Sequence, residues 1–112
     1  MDYYYRGRVI EVHDGDTCTV LIDLGLRVNM EVKIRLWGIN APEIIGKDHE
    51  AGIASKEYLS GMILGRDVYI RTEKDRKEKY GRWLGKIYLR DGDNESVNDK
   101  MVKEKYAVAY LV

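Results

Sequence analysis

From Val28 to Leu36 the chain alternates without a break: Val28, Met30, Val32, Ile34 and Leu36 are apolar, while Asn29, Glu31, Lys33 and Arg35 between them are polar. A period of two held over nine residues is the pattern of a strand with one face on a core. It sends the apolar set inward and leaves Arg35 on the opposite face, available to a ligand. Residues 8–12 and 18–23 are two further strand candidates, separated by Asp14-Gly15, a dipeptide suited to a tight turn. Gly25 marks the next reversal. Three consecutive antiparallel strands therefore open the chain, and Asp16 begins the second.

Pro42 is the only proline. It ends the continuation of the third strand, fixes its own φ and biases Ala41 toward an extended conformation. After a loop at Gly46-Lys47-Asp48, residues 49–64 read as a helix with Ala51, Ala54, Tyr58 and Met62 or Ile63 near one stripe. Gly65 is placed to stop it. Residues 68–72 and 83–89 read as strands, joined by a charged loop, and Asp91-Gly92-Asp93-Asn94 as a turn. Ser96-Val97-Asn98-Asp99 has the spacing of a capping box and opens a short helix to about Lys105. Five strands, one helix after the third and another after the fifth, predict a mainly β chain with α: a five-stranded OB-type barrel carrying two short helices.

A chain of 112 residues is long enough to bury one core, so a single domain over 1–112 is expected. Hydrophobic residues at 45% and charged residues at 34% exclude a disordered chain. One cysteine, Cys18, excludes an internal disulfide and any cysteine-cluster metal site; its alternation with an exposed position suggests a small core side chain. The first six residues carry no apolar signal region, and no apolar run reaches membrane-spanning length. A cytoplasmic monomer that does not engage membranes is the expectation.

Four short strings concentrate chemistry: Asp14-Gly15-Asp16-Thr17, Arg35-Leu36, Ala41-Pro42-Glu43 and Lys79-Tyr80-Gly81-Arg82. Each alone is an ordinary turn or loop. Together they carry hard carboxylate oxygens, a base after a proline and two guanidinium groups. Those are the groups that phosphoryl transfer uses to orient a nucleophile and to hold charge on a five-coordinate phosphorus. Net charge is against a polyanionic partner, since Lys plus Arg and Asp plus Glu are both 19. From Arg66 to Arg82, however, seven basic residues stand against four acidic ones, next to the arginine string.

In their order and spacing, these strings resemble the staphylococcal nuclease (thermonuclease) family, from about Arg8 to Val112. The resemblance implies a calcium-dependent nuclease on an OB-fold barrel, cutting DNA and RNA with little sequence preference, with single strands the expected substrate. It implies metal binding by Asp16, by Asn40 and by the backbone carbonyl of Ala41, and activation of water by Glu43. It implies transition-state roles for Arg35 and Arg82, a terminal-phosphate site at Lys79 and Tyr80, and base stacking by Tyr110. One position departs from the family pattern: Gly38-Ile39-Asn40-Ala41-Pro42-Glu43 has asparagine where the family usually has a second metal-binding aspartate. Calcium accepts amide oxygens, but the site is one negative charge short. Longer members carry a third helix beyond the segment matching Tyr110, which a chain ending at Val112 is expected to lack.

Several of these residues also have plain structural readings. Asp14 is the better turn former and Asp16 the better ligand. His13 and His49 match no catalytic position and read as structural or surface residues. Trp37 and Trp83 could stack bases but read first as packing, and Tyr3, Tyr4 and Tyr5 as an exposed strand edge. The rival to a nuclease is a catalytically silent OB module that binds single-stranded nucleic acid or protein, which Asn40 and the zero net charge favour.

Overall fold

In a computed structural model of the chain, residues 2–47, 49–73, 77 and 79–110 are described. Asp48 of the expected loop, and Lys74, Asp75, Arg76 and Glu78 of the charged segment, lie outside them. The elements run β1 (Asp2–Asp14), β2 (Thr17–Asp23), β3 (Asn29–Leu36), β4 (Ile39–Asn40), α1 (His49–Ile63), β5 (Asp67–Glu73), β6 (Trp83–Tyr88), α2 (Val97–Lys103) and β7 (Val108–Ala109). Five strands close a barrel in the order β1-β2-β3-β6-β5, and β4 and β7 form a separate two-stranded ladder. The OB-type barrel and its two helices are as the sequence predicts.

Closure depends on β1, which is much longer than the predicted 8–12. Its first half pairs with β5, from Asp2↔Glu73 to Arg8↔Asp67, and its second half with β2, from Arg6↔Asp23 to Asp14↔Thr17. Tyr3, Tyr4 and Tyr5 are therefore not an open edge: they pair with Thr72, Arg71 and Ile70. Where β1 changes partner, Gly7 lets β2 come close; a Cβ there would stand 2.8 Å from Leu21 O.

The alternation in β3 is buried only at its end. Ile34 and Leu36 lie in the core, whereas Met30 in β3 and Val28 before it are about half exposed. The reason is pairing: β6 runs parallel to β3 only over Ile34–Leu36, so the earlier part of β3 projects past the barrel wall. Gly25 does reverse the chain, but Leu26 and Arg27 take the positive φ values of the turn with it.

Helix α1 matches its predicted span, and Gly65, with φ +74, stops it. Its buried face is Gly52, Ser55, Leu59 and Ile63, one position round from the predicted stripe, and Ala51 and Ala54 are exposed. Close approach explains the shift. A Cβ on Gly52 would lie 2.2 Å from Glu43 O, so the helix seats its smallest residue against the β4 exit. Helix α2 has the predicted capping box: Asp99 N donates to Ser96 Oγ at 3.0 Å and Ser96 N to Asp99 Oδ2 at 3.3 Å. Buried Asn98 locks α2 to the barrel, donating to Trp37 O and Gly85 O and accepting from Ile87 N.

Candidate active site

The turn between β1 and β2 presents Asp16. Asp14 Oδ1 accepts a bond from Asp16 N at 3.0 Å, an Asx turn that aims the next carboxylate inward. Gly15 leaves space there for neighbours, since a Cβ would lie 1.9 Å from Ser55 Oγ and 2.8 Å from Ala41 Cβ. Asp16 is 7% exposed, and its side chain is fully engaged. Oδ1 accepts from the Thr17 hydroxyl at 3.0 Å, and Oδ2 accepts from Ala41 N at 2.9 Å and faces Arg35 Nη1 at 3.5 Å.

Arg35 lies off the core face, as its strand register predicts, and reaches across several segments. Nη1 donates to Leu36 O at 2.8 Å and Nη2 to Asn40 Oδ1 at 3.4 Å. Arg82, just before β6, donates from Nη1 to Thr17 Oγ1 at 3.3 Å. Asp16, Thr17, Arg35, Asn40 and Arg82 thus form one connected set drawn from four separated stretches of chain. Charged groups held this way, with their N–H forks preorganised, suit a phosphate or carboxylate guest.

Arg35, Asn40, Lys79, Tyr80, Arg82 and Tyr110 line one cleft of about 620 Å³. Lys79 Nζ lies 5.0 Å and Arg82 Cζ 5.5 Å from the centroid of the Tyr80 ring, which is exposed. Tyr110 reaches the cleft because β7 pairs with β4 and Tyr110 N donates to Gly38 O at 2.8 Å. Glu43 lies to one side. It is exposed, and among the described residues no hydrogen bond or ion pair joins its carboxylate to Asp16 or to either arginine. It lines a second recess of about 430 Å³, which shares Asn40 with the first. Its main chain is set on both sides of Pro42, by the Ala41 bond to Asp16 and by the contact with Gly52.

The donor types suit a hard, oxygen-seeking cation: Arg35 links the Asp16 carboxylate to the Asn40 amide oxygen, and Asp14 adjoins Asp16 through the turn. Burial, and then the hydrogen bond and charge of adjacent Asp16, push Asp14 up to about 6. Two crowded carboxylates of this kind are relieved by a divalent ion. The set is poor in acids: among the described residues no group of three or more His, Cys, Asp or Glu is placed to share an ion. Ala41 engages Asp16 through its N–H.

Sequence reasoning missed Thr17 as the link to Arg82, Asp14 as a partner of Asp16, and Gly52 as the seat of the Glu43 backbone. Thr17 was legible as part of the Asp-Gly-Asp-Thr string, and Gly52 as a glycine inside a helix with no turn to make. Both histidines are occupied locally, His13 with Thr19 Oγ1 and His49 with Ile44 O. Trp83 packs against the core beneath Lys77, and Cys18 is fully buried.

Residues 33–112 match the family model described as staphylococcal nuclease homologue. Among curated proteins, the chain is 36% identical to Protein ParB of Escherichia coli, over 94% of this chain and 57% of that protein. It is 36% identical to a protein of Escherichia coli O157:H7 named an uncharacterized endonuclease, over 94% of this chain and 61% of that one. It is 31% identical to the micrococcal nuclease of Shigella flexneri, over 95% and 59%. The chain thus spans about three fifths of the length of these relatives.

Proposed function

The chain belongs to the staphylococcal nuclease family, and from that premise we propose that it is a metal-dependent nuclease. In this reading it hydrolyses phosphodiester bonds of DNA or RNA, preferably single-stranded, with little sequence preference and with calcium as the ion. The observation that carries the reading is the connected set in which Arg35 reaches both Asp16 and Asn40 while Arg82 reaches Thr17 beside Asp16.

Asp16 and Asn40, with the Ala41 carbonyl, would hold the ion, which when bound supplies positive charge against the phosphate oxygens. Glu43 takes a proton from water, and the resulting hydroxide attacks phosphorus. The P–O5′ bond breaks, leaving a 3′-phosphate, and the departing oxygen takes a proton from solvent water to become the 5′-hydroxyl. Arg35 and Arg82 turn their N–H groups from protein acceptors to the equatorial oxygens as charge builds there. Lys79 and Tyr80 hold the terminal phosphate, and Tyr110 stacks on a base.

A second reading, the silent OB module, draws on one observation: both oxygens of Asp16 are already bonded within the protein. A cleavage assay on single-stranded DNA, run with calcium and with chelator, separates the two. Calcium-dependent cleavage supports the nuclease, and binding without cleavage at any calcium concentration supports the module.

A further inference from the structure

We propose that the recess beside Glu43 is a second phosphate subsite, which holds the nucleotide on the far side of the scissile bond through Lys105. The inference rests on the nuclease reading, since it extends the path of the same polynucleotide. Asn40 lines both the arginine cleft and this recess, so the two adjoin at the proposed cleavage point. A strand cut internally has to continue past that point. Glu43 alone would repel its next phosphate, and Lys105 is the cation among the described residues lining the recess.

The backbone at Lys105 points the same way. Helix α2 ends in a Schellman arrangement: Tyr106 N donates to Met101 O at 2.9 Å and Lys105 N to Val102 O at 3.0 Å. That motif needs a left-handed residue after the cap, and glycine is the usual occupant. Here Lys105 takes it, with φ +66. Lys100 and Lys103 already sit in the last turn, so the helix end has its complement of cations without it. Strained non-glycine residues gather where a site needs their side chain. The following segment is well held, since Ser55 Oγ donates to Tyr106 O at 2.8 Å and the Tyr106 ring stacks on Tyr58 at 4.2 Å.

Lys105→Gly is the direct test, because glycine prefers this conformation and the variant keeps its fold. Affinity for an oligothymidylate is measured in chelator, against salt. Loss of one phosphate contact is expected to flatten the slope of log K against log salt by about 0.7. Thermal stability should be unchanged or higher, and Lys105→Arg should keep the slope of the parent. In calcium, KM should rise several-fold for a long oligonucleotide and stay constant for one too short to cross Asn40. Lys105→Asn, also tolerated at left-handed φ, should repeat the result. An unchanged slope and an unchanged long-substrate KM in both variants would overturn the subsite. The slope is read without turnover, so a parent chain that binds but does not cleave ends the nuclease reading and leaves the slope to decide the subsite.

Discussion

The main-chain N–H of Ala41 donates to Asp16 Oδ2 across 2.9 Å, joining residues 25 apart in sequence. This bond ties the exit of β4 to the start of β2. Pro42 and Glu43 follow at once, so the position of the proposed base is set from the proposed metal ligand. Arg35 braces the same oxygen from β3 at 3.5 Å. Disturbing any of these residues is therefore felt at the others, which shapes the following expectations.

Glu43→Gln keeps shape and hydrogen-bonding reach but removes the base. Cleavage should fall about 10²–10⁴-fold while single-strand binding is retained. Arg82→Ala should lower turnover more than affinity, by about 10²–10³-fold, because its N–H groups matter most on the five-coordinate phosphorus. Steady-state kinetics beside a binding titration checks both, and cleavage left intact in the two variants would remove this site from the reaction.

Asn40→Asp returns a carboxylate to the proposed ion site. Calcium should bind more tightly, and cleavage should saturate at a lower calcium concentration. Its bond to Arg35 Nη2, already charge-assisted, becomes an ion pair, so the fold should not suffer. Calorimetric titration with calcium reads the change, and an unaltered isotherm would mean that this side chain does not reach the ion.

Gly52→Ala should reverse the usual rule for helices. In an open helix the change stabilises by about 1 kcal/mol. Here the new Cβ would lie 2.2 Å from Glu43 O and 2.7 Å from Ile44 N, both backbone atoms with little room to move. A net loss of about 1–3 kcal/mol is expected from overpacking, together with reduced cleavage as Glu43 is displaced. Chemical denaturation provides the sign: a more stable variant would show that the β4 exit yields easily.

Cys18 is fully buried, and burial pushes its thiol up from 9.0 to about 12. The folded state therefore holds this proton more firmly than the unfolded state. The resulting stability is fully present below about pH 9 and is lost as pH rises from 9 toward 12. The native chain at pH 8 should resist thiol reagents, with labelling following global unfolding in denaturant. Fast labelling without denaturant would show local opening at β2.

Much of this protein was legible from residues alone. The period of two around Arg35 set its strand and its side of that strand, and the Ser96–Asp99 spacing set the start of α2. The four strings marked the acids and arginines. These features are local: they depend on how a residue compares with its neighbours a few positions away. Space decided the rest. Met30 is exposed because β6 pairs with only the end of β3, and Tyr3–Tyr5 are paired because β1 continues around to β5. Helix α1 turns Gly52 and Ser55 inward rather than its alanines because the missing side chain of Gly52 admits the β4 exit and the Ser55 hydroxyl donates to Tyr106 O. Thr17 meets Arg82 across 65 residues, and Tyr110 enters the cleft only through the β4–β7 ladder. Periodicity reports which residues leave water, whereas contacts between distant segments depend on volumes and directions that exist only once the barrel has closed.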